Sequence, residues 1–219
     1  DRVFITGASS GIGAALAREY AARGAILGLA ARRGELLAAL VASLPHPERH
    51  RGYAVDVLDH AALDAAARDF LQHAGGADIV IACAGISHGT LTERPEDLPV
   101  FEDVFATNVN ATVATFIPFV APMKAQGGMR RLVAIGSVAG VRGMRGAGAY
   151  CASKAAVRVY CESLRLELKS SGIRVVTIAP GYIDTPMTRN NRFTMPFLMP
   201  AGQFARAAVR AIARGDSYR

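Results

Sequence analysis

A chain of 219 residues, about half of them apolar, is long enough to bury one sizeable core and falls within the span of a single domain. The formal charge of +7 rests on 22 Arg against 3 Lys. The arginines are scattered (Arg18, Arg23, Arg68, Arg94, Arg158, Arg165, Arg174), with only Arg32–Arg33 and Arg130–Arg131 adjacent. That pattern suits a solvated basic surface and argues against nucleic-acid binding.

In chain order, short β-rich runs alternate with helical patterns. Val3–Thr6 reads as a strand and Gly11–Arg23 as a helix, then Ala25–Ala30 and Glu35–Ser43, then Gly52–Val55 and His60–His73. Asp78–Ala82 precedes a helix over Phe101–Ala125, Arg131–Gly136 precedes Ala149–Ser171, and Arg174–Ala179 precedes Ala201–Arg214. Continuous apolar strands separated by helices predict an α/β fold, a Rossmann-like doubly wound parallel sheet with helices on both faces, in a single domain over residues 1–219. Ligands in such sheets sit beyond the carboxyl ends of the strands. The most apolar stretch, Val109 to Met123, is interrupted by Asn110, Pro118 and Pro122, so no membrane span is expected, and the prolines should bend or end that helix. No signal peptide is apparent. Cys83, Cys151 and Cys161 form no C-x-x-C pair, so neither a disulfide framework nor a metal site is expected, and a reducing cytoplasm fits best.

Thr6-Gly7-Ala8-Ser9-Ser10-Gly11-Ile12-Gly13 follows the first strand and opens a helix, where backbone N–H groups and the positive helix end suit a pyrophosphate. The spacing is G-x-x-x-G-x-G and not G-x-G-x-x-G, so the dinucleotide pattern is met in mechanism only; a plain strand-to-helix turn is the alternative. At the end of the second strand an NAD enzyme usually carries an acid for the ribose 2′-hydroxyl. This chain has Ala30-Ala31-Arg32-Arg33, with guanidinium groups suited to a 2′-phosphate, which points to NADP over NAD. The alternative is that one or both arginines belong to a solvated helix turn.

Tyr150-Cys151-Ala152-Ser153-Lys154 places a phenol and an ammonium four residues apart, on one helical face. The positive charge should lower the phenol's ordinary pKa of ~10 toward working pH. Ser137, at the end of the fifth strand, could donate to a substrate carbonyl; alone, it reads as an ordinary turn serine.

Together these residues resemble the short-chain dehydrogenase/reductase family over essentially the whole chain. The resemblance rests on Thr6-Gly7-x-x-x-Gly11-x-Gly13, Asp56-Val57, Ala84-Gly85, Asn108, Ser137, Tyr150-x-x-x-Lys154 and Pro180-Gly181-x-Ile183-x-Thr185. It implies a Ser137-Tyr150-Lys154 site, with Asn108 supporting a water-mediated proton relay behind Lys154. Tyr150 would protonate a carbonyl oxygen. Asp56 and Val57 would flank the adenine, and Pro180, Ile183 and Thr185 would hold the nicotinamide. One departure is Cys83-Ala84-Gly85 where the family has Asn-Ala-Gly, which should loosen hydrogen bonding beside the cofactor.

Residues 186–200, rich in Met, Phe and Pro, are similar to the family's substrate lid; plain core packing is the alternative. His88 reads as a surface histidine or a pocket residue. The resemblance also implies a small-molecule carbonyl or alcohol substrate and a homodimer or homotetramer built on the long helices over Asn108–Ala125 and Ala149–Ser171. Two rival functions stand against it: a non-catalytic NADP-binding redox sensor or structural protein, whose signature would be a missing Tyr or Lys, and a sugar-nucleotide epimerase, which needs a larger carboxy-terminal domain.

Overall fold

The structure, a computed structural model, describes residues 1–189, 191 and 193–219. The first half runs β1 (Arg2–Thr6), α1 (Gly11–Ala22), β2 (Ile26–Ala31), α2 (Gly34–Ala42), β3 (Arg51–Ala54), α3 (His60–Ala74) and β4 (Ile79–Ala82). Then come α4 (Leu98–Phe105), α5 (Ala111–Gln126), β5 (Arg130–Ile135), α6 (Gly148–Glu167), β6 (Ile173–Ile178), β7 (Ile183–Asp184), β8 (Met199–Pro200) and α7 (Ala201–Arg214). Every element expected from the hydrophobic pattern is present, with ends displaced by at most four residues.

The first six strands form one sheet in the order β3-β2-β1-β4-β5-β6, parallel throughout. The chain reverses its direction of travel across the sheet after β3, opening a crevice at the carboxyl ends of β1 and β4. Both faces are covered, which is why β1, β4 and β5 are almost wholly buried and read as unbroken apolar runs. One core layer joins Leu16, Tyr20, Leu27 and Leu29 to Phe204, Val209 and Ile212 of α7. The other joins Phe4, Leu63 and Phe70 to Phe116, Phe119 and Val157. Phe4 binds the second layer together, with ring centroids 5.6 Å from Phe70 and 5.0 Å from Phe119.

The helix does not end at Pro118 or Pro122. Both lie inside α5, which continues to Gln126. Burial of Phe116, Phe119 and Met123, each worth about 1.5–3 kcal/mol, offsets the ~3 kcal/mol that an interior proline costs. With the π turn at Ala106–Asn110, the helical run Pro95–Gln126 is in fact long and apolar enough to cross a bilayer by length and composition. Its packing makes it a core helix: it lies on α3, α6 and β4, and buries the hydroxyls of Thr112 and Thr115, bonded to the carbonyls of Asn108 and Ala111.

Candidate active site

A single elongated cavity runs along the carboxyl ends of the central strands. Arg32, Arg33, Asp56 and Val57 bound one end; Gly7, Ser9, Ser10, Gly11, Ile12 and Gly13 form the floor with Ala84 and Gly85; Tyr150, Lys154, Pro180 and Thr185 close the other end.

The floor follows from local backbone requirements. Gly7 has φ +67°, and a Cβ there would meet the Cα of Ala84 at 2.7 Å, so only glycine lets β1 and β4 leave the sheet in contact. Thr6 ties the same exits together, its Oγ1 accepting from the N–H groups of Cys83 at 3.1 Å and Ala84 at 3.4 Å. The N-cap of α1, Ser10, makes no side-chain cap bond, and no acid stands in the first turn. The first N–H groups of α1 therefore have no side-chain acceptor while facing a cleft, an arrangement that fits an anionic pyrophosphate. Arg33 reaches across from the end of β2, donating from Nη2 to Ser9 Oγ at 3.1 Å and Ser10 Oγ at 2.5 Å. Arg32 points to the opposite wall, 3.7 Å from Asp56 Oδ2, in an exposed pair worth little. Asp56 also accepts from the N–H of Leu58, as a strand-end turn does.

At the far end, Tyr150 and Lys154 share one face of α6, with the ammonium 5.8 Å from the phenol ring centroid. Lys154 is 7% exposed, and its Nζ donates to the Ile135 carbonyl at 2.8 Å. Burial lowers its pKa to about 8, against the opposing effect of the Cys83 thiol, which is itself pushed up to about 12 by burial. The sequence expectation that Lys154 would make Tyr150 acidic is not met in the protein alone. Burial raises the Tyr150 pKa above its usual value, and the opposing influence is the hydrogen bond from Ser137. The ammonium lies over the ring and donates instead to the Ile135 carbonyl.

Asn108 sits behind this pair. Its Oδ1 accepts from the Ile86 N–H at 2.9 Å, and its Nδ2 donates to the Ile86 carbonyl at 3.0 Å and to Ser153 Oγ at 2.9 Å. Gly85 is pressed against the group: a Cβ there would lie 3.2 Å from Asn108 Oδ1 and 3.6 Å from Lys154 Nζ. Asn108 and Ser137 are thus adjacent to the cavity without lining it. Ile183 is placed elsewhere, buried in the core layer against α7, so only its backbone could serve a ligand. Thr185 does face the floor, close against Gly11.

Several contributors escaped the sequence reading. Ser153 links Asn108 to the Tyr150 carbonyl, which it bonds at 2.8 Å. Gly140 packs on the backbone of α6, where a Cβ would meet the Lys154 carbonyl carbon and oxygen at 2.8 Å, bringing the Ser137 loop against the catalytic-face helix. Ile86 and Thr107 also line the cavity. A glycine three residues after Ser137 was a visible signal; the acceptor carbonyl of Ile135 had none. His88 is exposed and does not line the cavity. Of the segment 186–200, Met187 lines the cavity and Phe193, Phe197 and Leu198 are exposed, which removes the core-packing alternative for those side chains; residues 190 and 192 lie outside the described residues. No cluster of His, Cys, Asp and Glu suited to a metal occurs among the described residues.

The family model for short chain dehydrogenase matches residues 1–195. The chain belongs to the short-chain dehydrogenase family. It is accordingly an oxidoreductase. An uncharacterized oxidoreductase of Myxococcus xanthus strain DK1622 is 36% identical over 218 residues, covering 97% of this chain and 84% of the relative. The 3-oxoacyl-(acyl-carrier-protein) reductase FabG of Escherichia coli strain K12 is 34% identical over 209 residues, covering 93% and 83%. Among solved structures, a short-chain dehydrogenase from Sphingobium yanoikuyae in complex with NADPH superposes with a TM-score of 0.87 at 29% identity, covering 99% of this chain and 86% of that one. A 3-ketoacyl-(acyl-carrier-protein) reductase from Brucella melitensis complexed with NADH gives a TM-score of 0.87 at 25% identity, covering 96% and 90%. The short-chain dehydrogenase fold is thus shared over nearly the whole chain, and its relatives include complexes with either nicotinamide cofactor.

Proposed function

We propose that this enzyme is an NADP-preferring oxidoreductase acting on a carbonyl or alcohol, with Tyr150 as the group that gives and takes the proton. The observation that carries the reading is the placement of Tyr150 and Lys154 on one helical face at one end of a cavity whose other end is bounded by Arg32 and Arg33. The glycine loop and the start of α1 would hold the pyrophosphate, Arg33 and Arg32 the 2′-phosphate, Asp56 and Val57 the adenine, Ala84 and Gly85 the middle of the dinucleotide, and Pro180, Thr185 and the Ile183 backbone the nicotinamide. When bound, the nicotinamide supplies or accepts the hydride.

The raised pKa of Tyr150 keeps its phenol protonated at neutral pH, as a proton donor to a carbonyl oxygen must be. Ser137, whose hydroxyl meets that phenol, fixes its direction and offers a second donor to the oxygen as charge develops. Lys154 supplies a positive charge behind the ring, and Asn108, locked on both sides by Ile86, holds the wall through which a water-mediated relay would refill the proton. Oxidation would start from a phenol that burial keeps protonated.

The rest of the chain suits a single nicotinamide-binding unit over 1–219 with a lid over 186–200. A homo-oligomer pairing through α5 and α6 accounts for Ile117, Val159 and Leu166 standing 65%, 52% and 76% exposed on those helices. The free thiols of Cys83, Cys151 and Cys161 suit a cytoplasmic setting. The direct test is to screen carbonyls and alcohols with NADPH, NADH and their oxidised forms by nicotinamide absorbance. Turnover with a lower KM for NADPH than for NADH is expected. Cofactor binding with no turnover across the panel would point instead to a non-catalytic sensor.

A further inference from the structure

One hydroxyl behind the cavity wall joins the segments that enclose its reacting end. Ser153 stands on α6 between Tyr150 and Lys154 in the chain and is completely buried. Its Oγ donates to the Tyr150 carbonyl at 2.8 Å, one turn back along its own helix, and accepts from Nδ2 of Asn108 at 2.9 Å. Asn108, equally buried, comes from the π turn at Ala106–Asn110. The rest of its amide is committed to the loop after β4, with Oδ1 accepting from the Ile86 N–H and Nδ2 donating to the Ile86 carbonyl.

The proton count makes this arrangement directional. A serine hydroxyl has one proton, and the Tyr150 carbonyl takes it. Toward Asn108 the oxygen is left as an acceptor only, so it can meet the NH2 of that amide and not its C=O. Ile86 demands the same setting, and with both amide protons and the oxygen engaged the side chain has no second orientation. Its Oδ1 is thereby held beside Gly85: the point where a Gly85 Cβ would stand is 3.2 Å from that oxygen and 3.6 Å from Lys154 Nζ. An acceptor oxygen and the ammonium face the same gap. Serine is a poorer helix former than alanine, so α6 by itself would be served better by Ala at this position.

We propose that Ser153 is a positioning residue for the reaction: it fixes the place and the polarity of the Asn108 amide, so that the wall behind Lys154 presents an oxygen and the proton given up by Tyr150 is replaced along a path of fixed geometry. This rests on the carbonyl-reductase reading above, in which Asn108 stands beside the proton relay. Ser153 does not line the cavity and touches no reacting group; it acts through Asn108.

Two measurements test the role, the first on the protein without cofactor. With asparagine side-chain nitrogens labelled for NMR, the Asn108 NH2 pair is assigned through its proximity to Ile86. In Ser153→Ala, which adds no atoms to the site, one of those two protons should shift upfield and exchange with solvent about tenfold faster. Two unmoved resonances overturn the proposal whatever the enzyme turns over. The second measurement is kinetic. With NADPH and a reducible ketone, Ser153→Ala should lower kcat by about 5- to 30-fold, leave the NADPH Kd within about twofold and raise the solvent isotope effect on kcat in heavy water. In an Asn108→Ala background the same substitution should cost less than about twofold, because the group it acts through is gone. Equal losses in both backgrounds, or an unchanged isotope effect, make Ser153 a packing residue and leave the reductase reading standing. Failure of the wild type to turn over any ketone, aldehyde or alcohol removes the reductase reading and this role together.

Discussion

Lys154 donates to the carbonyl of Ile135 at 2.8 Å, and so its charge is anchored to the end of β5 while the phenol of Tyr150 is left to Ser137. Two separate ionisations result, one pushed down and one pushed up by the same burial. Lys154 loses its proton near pH 8, whereas Tyr150 holds its own beyond the ordinary range. Reduction needs the protonated phenol and the charged lysine. Its kcat/KM should therefore be level between pH 6 and pH 7.5 and fall as pH passes about 8, while the oxidation rate gains with pH over the same interval. Initial rates in both directions across pH 6–10 check this; a reduction rate that is flat through pH 9 contradicts it.

Cys83 is placed to tune that limb. Its thiol is a weak acceptor beside a buried ammonium, where an amide oxygen would accept strongly. Cys83→Asn should stabilise charged Lys154 and move the alkaline limb of reduction to higher pH, by about one unit for each ~1.4 kcal/mol gained. An unmoved limb with an unchanged melting temperature would make the cysteine incidental.

Tyr150→Phe removes the hydroxyl and keeps the ring against Lys154. A general acid contributes typically about 10²–10⁴-fold, so kcat should fall by at least that order while NADPH affinity changes by less than about threefold. Stopped-flow binding and steady-state rates separate the two, and retained turnover would remove Tyr150 from its role.

Arg33 bridges to Ser9 and Ser10 in the protein alone, so its guanidinium is already positioned beside the ribose end of the cavity. Replacing it with Ala removes a charge-assisted contact worth about 1.5–3 kcal/mol. NADPH affinity should weaken roughly 10- to 100-fold and NADH affinity much less. Fluorescence titration with both cofactors decides it; equal losses would mean that Arg33 only braces the glycine loop.

How much of this was legible beforehand follows the range of the interactions. The period of the apolar residues reported β1, β4, β5 and their crossover helices directly, because strands buried on both faces must be continuously apolar. Tyr150 and Lys154 were legible because one helical turn fixes their common face. What the lysine bonds to was not, since Ile135 offers a backbone carbonyl that carries no residue signature. That α5 runs on past its prolines was not legible for the related reason that local propensity says nothing of Phe116, Phe119 and Met123 packing inward.

His50 supplies a pH test of the fold away from the site. It is buried between α2 and β3, its Nδ1 accepting from the Leu27 N–H at 3.2 Å and its Nε2 facing the Pro45 carbonyl at 3.0 Å, which calls for the neutral ring with the proton on Nε2. Burial lowers its pKa; Arg49 acts in the same direction, while the Pro45 carbonyl and Glu48 oppose it. The unfolded chain thus binds a proton more readily than the folded one. The neutral ring's stabilisation is complete above the ordinary histidine pKa of ~6.5 and is lost as pH falls through the lower folded value. His50→Gln can still accept from Leu27 and donate to Pro45 but cannot take up a proton. Urea unfolding should show wild-type stability declining from pH 7 to pH 5, and the variant nearly level across that window; parallel curves would place the decline in other groups.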